Sequence, residues 1–258
     1  MTASSTTTLR QAARDWGGAL VQMVAVFLVV MAAKAALAEP FYVPSGSMEP
    51  TLMIGDALLA TKFPYGYSAA SVPLNIALPP TSRVLGALPE RGDVVVFRWP
   101  GDRAQVWVKR VVGLPGDRIQ MHDGELFING VGAALHADGW GRAENEDGSD
   151  VAAQRYVESL PGGHSHPVFK LRAHGFLDNT PEVTVPADHV FVLGDNRDNS
   201  ADSRVSVADG GVGLLPTDNL VGRVEAVLGS YDLGVTRRPV SASWLSGLRL
   251  GRFMTSVN

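Results

Sequence analysis

Between Asp15 and Lys34 the chain carries no charge, and the run Trp16 to Ala33 centres on Met23-Val24-Ala25-Val26-Phe27-Leu28-Val29-Val30-Met31. At about 1.5 Å per residue such a run extends about 27 Å as a helix, close to the thickness of a bilayer core. Arg10 and Arg14 precede it and Glu39 follows. The charge bias therefore predicts a cytoplasmic tail over residues 1–15, one transmembrane anchor over 16–38, and residues 39–258 outside. Lys34 is placed to snorkel at the outer boundary. Two other readings fit the same residues: a buried core helix, and a cleavable signal peptide, for which Ala36-Leu37-Ala38 offers a small-x-small site. The apolar stretch is longer than a usual signal core, and Lys34 interrupts the approach to that site.

After the anchor the periodicity changes from helical to strand-like. Phe41-Tyr42-Val43, Ala57 to Ala60, Val94 to Phe97 and Val106 to Val112 are short β-rich runs bounded by Gly, Pro or Asp. Residues from Pro64 to Leu88 lack a clear period and read as a long surface excursion, whose aromatics Phe63, Tyr65 and Tyr67 either pack on the sheet or meet headgroups. From about 118 to 188 the composition turns to Gly, Asp and Ala with strand-sized pieces such as Glu125 to Ile128 and His166 to Leu171, which predicts a smaller β subdomain inserted into the first. The first domain resumes at His189 to Leu193 and runs through Leu220 to Val227. Trp244 to Phe253 reads either as an amphipathic surface tail or as a closing strand. The expected class is mostly β.

Composition narrows the chemistry. A formal charge of -4, with no basic run, argues against nucleic acid as a partner, and the absence of cysteine removes thiol catalysis, thiolate metal sites and disulfides. Pro44-Ser45-Gly46-Ser47-Met48-Glu49-Pro50-Thr51-Leu52 presents two hydroxyls between prolines, with Gly46 admitting close approach of another chain. Taken alone it is also an ordinary turn composition. A serine nucleophile needs a base that is neutral at working pH. Of the 22 Lys and Arg residues, Lys34, Lys62, Lys109 and Lys170 are the lysines, and arginine does not deprotonate. Strand alternation puts Lys109 on an apolar face with Trp107 and Val111, where burial lowers a lysine pKa, while Arg110 points the other way. The competing reading is an edge-strand lysine.

The histidines all lie from His122 to His189. His164-Ser165-His166 without a further ligand reads as a solvated loop rather than a metal site. Gly194 to Arg204 is unusually polar, and its spacing does not match a calcium loop. Asp202 and Arg204 are suited to pair, and Ser200 to make a hydrogen bond that orients a neutral lysine.

Four blocks then coincide: PSGSMEPTL at Pro44 to Leu52, GDALLATKFPYG at Gly55 to Gly66, RGDVVVF with WVKRVVGLPGD from Arg91 to Asp117, and GDNRDNSADSR at Gly194 to Arg204. In these the chain resembles the bacterial type I signal peptidases, membrane-bound serine/lysine endopeptidases that remove signal peptides from exported proteins. The resemblance implies a β-barrel catalytic domain and no metal or cofactor. Position by position it implies Ser47 as nucleophile and Lys109 as general base, with Ser45 and the Ser47 N–H as oxyanion donors. Ser200, Asp202 and Arg204 become supporting residues, and Phe41, Val43, Trp107 and Val108 become walls of shallow pockets for an Ala-x-Ala substrate. The implied partners are signal-peptide-bearing preproteins and the lipid bilayer of the bacterial inner membrane, with the catalytic domain on its extracytoplasmic side. The oligomeric state is not legible. Competing classes are a relative that processes a conjugation protein, a self-cleaving peptidase like the SOS repressors, which lacks support because no DNA-binding segment precedes the catalytic part, and an anchored β domain that binds export substrates without cutting.

Overall fold

The structure is a computed structural model that describes residues 4–73, 78–144, 149–232 and 244–257. Along the first helix, α1 (Ser4–Ala36), it describes the side chains of Trp16 and residues 18–33. The side chains of Arg10, Arg14 and Lys34, on which the orientation argument turns, lie outside the described residues. Among the described residues no helix is long and apolar enough to cross a membrane. The apolar side chains of α1 nonetheless face outward, with Leu20 57%, Phe27 62% and Val29 68% exposed.

Everything that follows is built from strands. β1 (Ala38–Tyr42), β2 (Asp56–Thr61), β3 (Val94–Trp99) and β4 (Asp102–Gly113) come first. β5 (Arg118–His122), β6 (Glu125–Ile128), β7 (Val131–Gly132), β8 (Ala134–Glu144), β9 (Asp150–Ser159), β10 (Ser165–Lys170) and β11 (Val183–Thr184) form two small sheets, ordered β11-β5-β6-β7 and β10-β9-β8. β12 (His189–Leu193), β13 (Leu215–Pro216), β14 (Leu220–Ser230) and β15 (Thr255–Ser256) return to the main sheet. Its order is β1-β2-β14-β3-β4-β12-β13, with β15 on β14. Among the described residues β1 and β13 do not pair with each other, so the sheet is open and not the closed barrel expected. Pro40 in β1 and Pro216 in β13 lack the N–H that a closing ladder would draw on.

The unbroken apolar run of β3 is explained by burial on both faces. Val94 and Val96 pack with Val43, Met48, Leu52 and Leu58, whereas Val95 and Phe97 pack with Tyr65, Val111, Val190 and Val192. β4 and β12 pair directly, Val111 beside Val192. Residues 114–188 therefore leave the main sheet and re-enter it, and they share a core with it: Ile119, Met121, Leu126 and Ile128 pack on Val112, Phe191 and Leu193.

In the excursion after β2, Tyr65 is buried and donates to Asp93 at 2.7 Å, while Phe63 is exposed. The end of the chain combines the two expectations for it: short 3-10 turns at Trp244–Gly247 and Leu250–Arg252 precede β15. Arg252 turns onto the protein, donating to Asp56 and to Thr51 O.

Candidate active site

Gly46–Met48 folds as a single 3-10 turn, closed by the Glu49 N–H on Gly46 O at 3.1 Å. Met48 and Leu52 anchor it, both fully buried in the apolar cluster beneath. From the other side, the Asn196 backbone N–H donates to Ser47 O at 3.1 Å and its side chain to Gly46 O at 3.2 Å. Residue 194 has to be glycine for this approach, because a Cβ there would sit 2.4 Å from Ser47 O.

Ser47 is 8% exposed, and its hydroxyl meets the Lys109 amine at 2.7 Å across 62 residues of sequence. Lys109 also donates to Val108 O at 3.0 Å, and its Nζ lies 5.6 Å from the centre of the Trp107 ring. β4 is an interior strand, so Lys109 is not an edge lysine. Its cross-strand partner is Val95. Burial pushes its pKa down to about 8; Asp202 and Asp195 work against this and Arg204 with it. A substantial fraction of the amine is thereby neutral near pH 8 and able to take a proton.

Ser200 is not bonded to Lys109, contrary to the sequence expectation, because the two bonds the amine makes go to Ser47 and to Val108 O. Its hydroxyl is buried beside Gly194 and near Asp202, whose carboxyl it helps hold down, without a hydrogen bond of regular geometry. Asp202 and Arg204 are paired, with Arg204 Nε and Nη2 each 2.8 Å from the carboxylate. Asp202 also takes the Gly194 N–H at 3.0 Å, which fixes the loop against the nucleophile turn. Ser45 is exposed and extended, at φ -136 and ψ 154, directly before the turn. Of the expected pocket residues, Phe41, Val43 and Val108 share one apolar cluster. Trp107 belongs to the cluster on the other face, and its ring stacks on Trp99 at 5.1 Å.

Beneath this layer lies an ionic network that sequence reasoning missed. Arg110 grips Asp195 with Nε at 2.9 Å and Nη2 at 2.8 Å, and Thr51 donates to the same carboxylate. Arg197 grips Glu158 with both amino groups, at 2.6 and 2.5 Å. His166 sits between the carboxylates, 3.4 Å from Glu158 and 3.7 Å from Asp195, and burial lowers its pKa to about 3. The solvated-loop reading of His164-Ser165-His166 is thus wrong for His166, which is buried in β10. Among the described residues no group of three or more His, Asp or Glu side chains could hold a metal ion. The alternation of β4 had turned Arg110 to the face opposite Lys109, but nothing in the sequence tied it to Asp195.

Burial alone would raise the pKa values of Glu158, Asp195 and Asp202, and the guanidiniums of Arg197, Arg110 and Arg204 more than reverse it. Folded values below the unfolded ones make this a contribution present above about pH 4 and lost as pH falls through the folded values. Glu158→Gln leaves Arg197 charged and poorly compensated, so it is expected to lower stability by about 3 to 5 kcal/mol. A fall of that size in the unfolding free energy from urea titration at pH 7 checks it.

Comparison with known proteins places this geometry in a family. The family described as "Signal peptidase, peptidase S26" matches residues 14–229. The chain belongs to that family. It is a peptidase and hence a hydrolase. Signal peptidase I of Rickettsia typhi is 33% identical over 247 residues, covering 90% of each chain. That of Rickettsia canadensis is 32% identical over 270 residues, covering 98% of this chain and 97% of its own. A solved signal peptidase I from Enterococcus faecalis V583 aligns with 53% of this chain and 97% of its own at 25% identity, with a TM-score of 0.30. The match to this signal peptidase family runs through both the Ser47 turn and the Lys109 strand.

Proposed function

We propose that the chain is a membrane-anchored serine endopeptidase that removes signal peptides from exported preproteins after an Ala-x-Ala site. The observation that carries the reading is the buried 2.7 Å contact between Ser47 Oγ and Lys109 Nζ. Neutral Lys109 takes the Ser47 proton as Oγ attacks the scissile carbonyl, then passes a proton to the leaving amine. Water, deprotonated by the same amine, releases the acyl group. The Ser47 N–H and the Ser45 hydroxyl receive the oxyanion, a role that the exposed, extended Ser45 beside the turn supports. Asp202 and Arg204 hold the loop that holds Ser47, and Ser200 fills the space between Gly194 and Asp202. Phe41, Val43, Val108 and Trp107 form the walls against which small residues of an extended substrate lie.

Residues 16–38 are the proposed anchor, with 1–15 cytoplasmic, 39–258 on the extracytoplasmic face of the bacterial inner membrane, and the inserted subdomain over about 118–188. The uncharged sequence from Trp16 to Ala33 and its outward-facing side chains support it. Retention of the anchor is favoured at Ala36-Leu37-Ala38. There Ala38 is paired with Thr61, and Leu37 O accepts the Lys62 N–H, so the site is not free to extend into an active site. Tethering places the peptidase where precursors emerge and raises their effective concentration. The test presents a precursor bearing Ala-x-Ala to membranes carrying the chain. Mass spectrometry is expected to find a single cut after the second alanine, and no cut, or cuts scattered elsewhere, contradicts the reading.

A further inference from the structure

β8 is an outer strand of its sheet, with β9 along one side and no strand along the other. Its last residue, Glu144, pairs with Asp150 of β9, yet the Glu144 N–H points the other way and donates to Glu49 Oε2 at 3.0 Å. Glu49 lies two residues beyond Ser47 and is 2% exposed. Gly46 is what allows the two parts to meet: a Cβ there would lie 2.9 Å from Glu144 O and 2.9 Å from Glu49 Oε2. Burial pushes the Glu49 carboxyl up to about 7, with Glu144 and Asp150 adding to the rise and Arg249 opposing it. Arg249 donates to Ile54 O at 2.7 Å, and Asp232 is its ion-pair partner. A carboxyl has thus been buried in the nucleophile turn where its bond is to a backbone N–H from the inserted subdomain.

We propose that Glu49 is a positioning residue for Ser47, tying the nucleophile turn to the end of β8 and complementing the two Asn196 bonds. The proposal rests on Ser47 as nucleophile. What the tie requires is an acceptor oxygen at this place, and a side-chain amide supplies one as well as a carboxylate does. A displaced turn moves Ser47 Oγ relative to Lys109 and costs turnover more than substrate binding.

The test uses the full chain in detergent or vesicles, with an Ala-x-Ala peptide as probe and thermal unfolding recorded for each variant. Glu49→Ala is expected to lower kcat at least about tenfold, with KM within about twofold of the parent. Glu49→Gln should restore kcat to within about twofold of the parent. Glu144→Pro deletes the donor from the far side of β8, where the N–H is not part of the β9 ladder, and should reproduce the Glu49→Ala loss. The two losses together should not exceed either alone. Parental kcat in Glu49→Ala or in Glu144→Pro overturns the proposal, and so does a Glu49→Gln enzyme as impaired as Glu49→Ala. Should Glu49→Ala not fold, the Glu144→Pro and Glu49→Gln arms decide the matter. Failure of the underlying reading looks different, because then Ser47→Ala cleaves as the parent does.

Discussion

Ser47→Ala should lower the rate of precursor cleavage by about four orders of magnitude or more while leaving the fold intact. Without Oγ the acyl-enzyme route is closed, and what survives is the modest assistance of substrate positioning and the oxyanion donors. Little stability should change. The substitution removes one hydroxyl from a turn held through Met48, Leu52 and the Asn196 bonds, none of which involves Ser47 Oγ. Quantified product in single-turnover reactions, alongside unfolding curves, checks both halves. Equal processing by the parent and the variant would remove Ser47 from the mechanism.

Lys109 is expected to be as indispensable, for a separable reason. Lys109→Arg keeps a cation in place but never gives up its proton, and Lys109→Met keeps the bulk without any proton to move. Each should lose about three orders of magnitude or more in kcat/KM. Their stabilities should diverge. Arginine is too large for a slot that leaves the lysine 4% exposed, so about 1 to 3 kcal/mol of overpacking is expected. Methionine relieves a cost the parent carries. The folded pKa of about 8 lies below the ordinary 10.5, so the fold disfavours the ammonium form, by about 3 kcal/mol when fully protonated. Parental stability consequently rises with pH between about 8 and 10.5, and Lys109→Met should match or exceed it below pH 8. An inactive Lys109→Met that is also markedly unstable at pH 7 would point to a structural lysine.

How much of this was legible in the residues follows from the range of the interactions. Strand alternation is local, so the side on which Lys109 falls could be read from Trp107-Val108-Lys109-Arg110-Val111, as could the strand His189–Leu193. The unbroken run at Val94 to Phe97 announced a strand without revealing that both of its faces are covered, since that depends on which segments return to it. The buried network was invisible for the same reason. Arg110 and Asp195 are 85 residues apart, Arg197 and Glu158 39 apart. Polar composition around Glu158 and His166 reads as surface when partners cannot be assigned. Ser200 was placed in the right neighbourhood with the wrong bond, because a loop sequence does not say which way a hydroxyl turns. The resemblance supplied long-range pairing for Ser47 and Lys109 and gave nothing over 118–188, where Glu158, His166 and Glu144 lie.

The central claim is that a neutral lysine activates Ser47, and the pH dependence of kcat/KM tests it most directly. Ionisation of a single group with the pKa of Lys109 predicts a rate that climbs nearly tenfold per pH unit on the acid side and levels off above about pH 8. A profile whose acid limb is centred near pH 6.5, the range of an ordinary histidine, would contradict it.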